Sequence, residues 1–210
     1  MSRNSKLAFV TFLTFMRFPL VLLFFAGAIA YTNPVVREHP WVFVVTFAAL
    51  ISSALTDLFD GYFARKFNVV TKLGAHADPL MDKFFYLASL PLLAFVAAIK
   101  DGHMLHAKLL LVITLLFLAR DQWVTFLRSI GSMFSVSGKA NWSGKLRTAV
   151  NFPMICCVYH FEEAPAQYQF IPSWFVYAFE VVALVITLMT LYIYTKNYWP
   201  YIRRSADIDQ

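Results

Sequence analysis

Residues 41–99 read WVFVVTFAALISSALTDLFDGYFARKFNVVTKLGAHADPLMDKFFYLASLPLLAFVAAI. Two strongly apolar runs, 41–60 and 78–99, are joined by a short polar stretch, and aspartates stand at their inner edges: Asp57, Asp60, Asp78 and Asp82. Each run is about long enough for a helix to cross a bilayer. Carboxylates at the edge of such a run are costly unless something compensates their charge, and a bound cation does so. Asp57 and Asp60 are spaced i,i+3 and Asp78 and Asp82 i,i+4, so on helices each pair shares a face. Residues 66–73 are long enough to turn the chain, so the two helices return side by side and the four acids meet. An all-oxygen donor set on semi-rigid helices suits Mg2+ or Mn2+ better than Zn2+. Gly61 and Ala64 keep one helix face small enough for a flat ligand or a second backbone, and Arg65 offers a planar fork for phosphate.

The rest of the chain fits the same frame. Of its 210 residues, 60% are hydrophobic and 14% charged, with a mean hydropathy of +0.61. A water-soluble domain of this length cannot bury so much apolar surface. Further apolar segments at 10–31, 108–128, 147–162 and 173–195 bring the expected total to six transmembrane helices in one all-α, polytopic domain covering 1–210. The basic-then-apolar start, MSRNSKLAFVTFLTFMRFPL, is expected to be the first span and not a cleaved leader. Cys156 and Cys157 are adjacent and form no disulfide framework.

Lys and Arg are unevenly shared between the connections. One set holds Arg3, Lys6, Arg65, Lys66, Lys72, Arg128, Lys139, Lys145, Arg147, Lys196, Arg203 and Arg204, and the other only Arg37, Lys100 and Lys108. The positive-inside rule then puts both termini in the cytoplasm. Arg17, Asp57, Asp60, Asp78, Asp82, Lys83, Arg120, Asp121, Lys145 and Arg147 all fall in the cytoplasmic leaflet, which implies a water-accessible cavity on that side. Glu180 is the exception, near the outer end of the last span, where reaching the interface or a hydrogen-bond partner is the ordinary role for a lone acid. His103 and His106 are expected in an external loop, solvated. No nucleic-acid partner is expected.

The spacing D-x2-D-G-x2-A-R-x8-G-x3-D-x3-D, filled by Asp57, Asp60, Gly61, Ala64, Arg65, Gly74, Asp78 and Asp82, resembles at every fixed position the signature of the CDP-alcohol phosphotransferases, membrane enzymes that build phospholipid head groups. The resemblance implies a two-metal site of Asp57, Asp60, Asp78 and Asp82 holding Mg2+ or Mn2+. It implies CDP contacts from Asp57, Gly61, Ala64 and Arg65, a general base at Asp82, and a homodimer. Within the family, residues 56–84 and the segment Ser143-Gly144-Lys145-Leu146-Arg147-Thr148 look most like the phosphatidylglycerophosphate synthase branch. That branch transfers a phosphatidyl group from CDP-diacylglycerol to a small phosphorylated alcohol, glycerol 3-phosphate, and releases CMP.

Arg120 and Arg128 are eight residues apart, about 80° around a helix, so their side chains can converge on one anion. With Lys145 they are the expected pocket for the acceptor's phosphate. The branch usually has Arg-Glu where this chain has Arg120-Asp121, which keeps inositol phosphate, inositol and serine open as acceptors. A transporter would carry polar groups near the midplane or in both leaflets, often with a repeat, and this chain has neither. A membrane prenyltransferase would resemble two separated Asp-rich motifs in a longer chain.

Overall fold

The structure, a computed structural model, describes residues 3–69, 72–135 and 142–206. The side chains of Asp57, Leu58, residues 72–76, Asp78 and residues 142–145 are outside that description. The described residues form helices and no strand: α1 (Arg3–Tyr31), the single turn α2 (Pro34–Arg37), α3 (Pro40–Phe67), α4 (Lys72–Ala98), α5 (Met104–Met133), α6 (Trp142–Glu163), a 3-10 turn (Ala166–Tyr168) and α7 (Ser173–Ala206). Among the described residues, five stretches are long and apolar enough to cross a membrane: α1, α3, Pro79–Ala98 within α4, α5 and α7. The sixth expected span coincides with α6, whose 22 residues reach about 33 Å at the helical rise. It is the least apolar of the long helices, with Arg147, Asn151, His160, Glu162 and Glu163 along it. The chain is thus an all-α, polytopic membrane protein.

Helix ends follow local chemistry. Pro34 and Pro40 each stand in a first turn, where a missing N–H costs nothing, and the Asn33 side chain caps α2 by accepting from Val35 N–H. α3 stops because Asn68 adopts the left-handed conformation, φ 55°, with its N–H directed at the Ala64 and Arg65 carbonyls. Gly102, at φ +81°, makes the turn between α4 and α5 where a side chain would be strained.

Two compact units divide the chain: residues 1–110 with 155–171, and residues 111–154 with 172–210. In the first, α1 lies along α3 and α4. Its core holds Val21, Phe24, Ala28, Tyr31, Phe43, Leu50 and Tyr159, all buried, with Tyr159 meeting Phe24 edge-on at 5.1 Å and stacked on Phe43 at 5.8 Å. Gly27 lets α1 and α3 approach closely, for a Cβ there would run into the Thr46 hydroxyl. In the second unit, Val124 and Leu127 of α5 pack with Tyr194 and Tyr198 of α7, and Trp123 Nε1 donates to Thr195 Oγ1 at 2.9 Å. Many large apolar side chains face outward, among them Phe12, Leu87, Leu115, Val181 and Val185, each more than half exposed. Lipid tails satisfy that surface and water does not.

Candidate active site

The acidic motif sits where α3 ends and α4 begins. Asp57 and Asp60 belong to the last turns of α3, and Asp78 and Asp82 to the early turns of α4. α3 runs to Phe67 and α4 begins at Lys72, so both helices extend into the 66–73 stretch expected to turn the chain. The favourable end of the α3 dipole is met by Arg65 and Lys66 in its last turn.

A third helix completes the arrangement. Arg17 of α1, its side chain 3% exposed, reaches both carboxylates that the structure describes: Nη1 donates to Asp82 Oδ1 at 2.9 Å, and Nη2 to Asp60 Oδ2 at 3.5 Å. Asp60 is buried with it, at 4%, while Asp82 is 40% exposed and turns toward solvent. Carboxylates 22 residues apart in sequence therefore converge on a single cation. The site already gathers hard oxygen donors from two helices around positive charge and is open to water on the Asp82 side, so the residues fit Mg2+ or Mn2+. The side chains of Asp57, Asp78 and His76 fall outside the described residues. Thr14, one turn before Arg17, is buried and its hydroxyl donates back to the Val10 carbonyl at 3.3 Å.

Gly61, Ala64 and Arg65 follow Asp60 on α3. Arg65 is exposed and folds back along the helix, for a Cβ on Gly61 would stand 3.4 Å from its Nη1. The absent side chain at 61 thus leaves the guanidinium room beside the backbone.

In the second unit the arginines are gathered by Tyr194 and Asp121. The guanidinium carbons of Arg120 and Arg128 lie 5.2 and 5.4 Å from the centre of the Tyr194 ring, and Arg128 Nη2 donates to its hydroxyl at 2.9 Å. Arg120 Nε donates to Thr190 Oγ1 at 3.1 Å. Asp121 is clasped by Arg147 through two bonds, 2.6 and 2.9 Å, and accepts from Arg120 Nη1 at 3.1 Å. Two guanidiniums, Arg120 and Arg147, share the Asp121 carboxylate, and with Arg128 the four side chains carry a surplus of two positive charges. Arg120 Nη2 and Arg128 Nε are buried and donate to no other described atom. A cluster with surplus guanidinium charge can chemically accept an anion. Lys145 lies in the first turn of α6, its side chain outside the described residues.

Sequence reading did not anticipate Tyr194 or Thr190 beside the arginines, nor the Asp121–Arg147 clasp. Both arginines and the acid were visible, but which pair closes across helices 26 residues apart is a property of packing. One expectation is corrected. His106 is 2% exposed and not solvated, and His103 is only partly exposed, because the entry of α5 places them on Glu162. Glu180 is buried in α7, as the hydrogen-bonded alternative for a lone acid allows.

The sequence profile of a family described as CDP-alcohol phosphatidyltransferase matches residues 8–193. The chain belongs to that family. Among individual CDP-alcohol phosphatidyltransferase relatives, the "CDP-diacylglycerol--glycerol-3-phosphate 3-phosphatidyltransferase" of Yersinia pestis is 30% identical over 142 residues, 66% of this chain and 69% of that one. A "Probable phosphatidylglycerophosphate synthase" of Mycobacterium tuberculosis is 30% identical over 131 residues, 62% of this chain and 53% of its own length. A "Cardiolipin synthase (CMP-forming)" of Oryza sativa is 38% identical over 69 residues, 31% of this chain and 21% of that protein. The match therefore spans about half of the mycobacterial relative and a fifth of the rice one.

Proposed function

We propose that this chain transfers the phosphatidyl group of CDP-diacylglycerol to glycerol 3-phosphate, giving phosphatidylglycerophosphate and CMP. The observation that carries the reading is the convergence of Asp60 and Asp82, two members of the family signature, on one buried cation. Family membership and the names of the bacterial relatives support it. The acceptor hydroxyl oxygen attacks the phosphorus that bears the diacylglycerol, the bond from that phosphorus to the CMP oxygen breaks, and the hydroxyl proton passes to Asp82. Asp82 suits that role because it is the more exposed of the two described acids and so meets the incoming alcohol.

Mg2+ or Mn2+ held by Asp57, Asp60, Asp78 and Asp82 would neutralise the diphosphate oxygens and stabilise the departing CMP. Asp57, Gly61, Ala64 and Arg65 hold the CDP moiety, the glycine and alanine by leaving room for it and Arg65 by its fork. Arg120, Arg128 and Lys145 bind the acceptor's phosphate, which the surplus charge and the two undirected N–H groups favour over a neutral alcohol. The catalytic domain is residues 1–210, with termini and active site on the cytoplasmic side, a reading that the Lys and Arg bias supports. The enzyme works as a homodimer.

The test is CMP release by the purified protein in detergent with CDP-diacylglycerol and Mg2+, offering glycerol 3-phosphate, inositol 1-phosphate, myo-inositol and serine in parallel. Stimulation by glycerol 3-phosphate alone is expected. Stimulation by a different acceptor would keep the phosphoryl chemistry and overturn the acceptor assignment, and absence of CMP under every condition would overturn both.

A further inference from the structure

A second cluster of ligating side chains lies in the first unit, apart from the aspartates of the motif. His103 directly precedes α5 and His106 stands in its first turn, spaced i,i+3, so both rings leave the same side of the helix entry. That entry is set by Gly102 at φ +81°, and the Ala107 N–H donates to the His103 carbonyl at 2.9 Å. Both rings meet Glu162, near the end of α6. His106 Nδ1 is 2.6 Å from Oε1, and His103 Nδ1 is 3.1 Å from Oε1 and 3.0 Å from Oε2. One ligating atom from each residue lies within 4.8 Å of the other two. Phe161 flanks both imidazoles, at 5.7 Å from His106 and 5.9 Å from His103, and limits water around them.

Charge gives the second reason. Glu162 and Glu163 both have fully buried side chains. Arg37 Nη2 at 2.6 Å and Lys100 Nζ at 3.2 Å meet Glu163. Of these two cations only Lys100 meets Glu162, at the longer distance of 3.5 Å, and beside the two imidazoles its buried Oε2 accepts no well-formed hydrogen bond. A buried carboxylate facing two imidazole nitrogens, with one imidazole partly open to solvent, is a three-ligand set with room for a water as the fourth.

We propose that His103, His106 and Glu162 form a Zn2+ site. Bonds of about 2.0–2.1 Å in a tetrahedron put ligand atoms roughly 3.3 Å apart, so the His103 contact to Glu162 needs to open by a few tenths of an ångström and the His106 contact, at 2.6 Å, by roughly 0.7 Å. Two nitrogens and one oxygen favour Zn2+ over the hard ions that suit the all-oxygen motif. The ion would staple the start of α5 to the end of α6, and the site is independent of the reaction proposed above.

The ligand sets differ enough to be told apart by spectroscopy on the full chain in detergent. Co2+ in a tetrahedral site with imidazole ligands absorbs strongly in the visible, whereas Co2+ held by aspartates and water absorbs weakly. One equivalent of Co2+ is expected to give the strong bands, Zn2+ to abolish them by displacement, and Asp82→Asn to leave them intact. His103→Asn, at the partly exposed ligand, and Glu162→Gln, which keeps shape, should each weaken binding beyond the roughly 10–100-fold that loss of a mere supporting partner costs. Absence of the bands from the unaltered protein, or bands of unchanged affinity in both variants, would overturn the site.

Discussion

Replacing Arg17 by Met keeps the packing of the stem but removes the cation that Asp60 and Asp82 share. The shorter contact, 2.9 Å, goes to Asp82, yet the larger energetic effect is expected at Asp60, 3.5 Å away, because Asp60 is 4% exposed and Asp82 40%. Solvent screens the Asp82 pair to about 0–1 kcal/mol. Breaking a buried pair costs about 3–5 kcal/mol because a charge is left uncompensated. Taking the lower end, about 3 kcal/mol corresponds to roughly 6–12 °C in Tm for a chain of this size. A divalent ion on the same oxygens replaces the lost charge, and at 100 times its Kd it returns about 2.7 kcal/mol. The Tm deficit of Arg17→Met, read by intrinsic fluorescence in detergent, is therefore expected to be large in EDTA and nearly absent in saturating Mg2+ or Mn2+. In an Asp60→Asn background the substitution should cost little under either condition. A deficit equal in EDTA and in metal, or one undiminished in the Asp60→Asn background, would refute the view that Arg17 and the metal serve the same carboxylates.

Asp57→Ala, Asp60→Ala and Asp78→Ala should each lower CMP release at least about 1,000-fold, consistent with several kcal/mol of lost charge stabilisation, whereas Asp82→Asn should lose turnover and retain CDP-lipid in an equilibrium binding assay. Arg120→Ala or Arg128→Ala should raise the KM for glycerol 3-phosphate by about 10–100-fold, the 1.5–3 kcal/mol of a hydrogen bond to a charged group, with the KM for CDP-diacylglycerol unchanged; equal effects on both substrates would contradict an acceptor role. Gly27→Val should destabilise the helix pair by about 1–3 kcal/mol as an overpacked contact, and Thr46→Ala in the same chain should restore part of the Tm; no rescue would mean that Thr46 is not what the new side chain meets.

The fold class was legible because lipid imposes long apolar runs on any helix that crosses it, and α1, α3, α5 and α7 overlie the apolar segments read from sequence. Helix ends were less so. α3 runs on to Phe67 and α7 to Ala206, beyond the apolar residues, since backbone hydrogen bonding continues after hydropathy falls. The sixth segment was legible as a helix, but the polar residues of α6 keep it out of the composition that defines the other five.

Within the site, the i,i+3 and i,i+4 spacings by themselves set which aspartates share a helix face, because helical periodicity is local and acts through neighbouring residues alone. The gathering of Arg120 and Arg128 could be foreseen on the same ground, since both belong to one helix. Partners drawn from distant segments could not. That Arg17 closes on Asp60 and Asp82, that Arg147 clasps Asp121, and that His103 and His106 fold onto Glu162 was decided only by how helices pack. Contacts separated by 26 to 65 residues depend on helix rotation and depth. Those are set by the fit of whole faces, such as Gly27 against Thr46, and no short stretch of sequence encodes them.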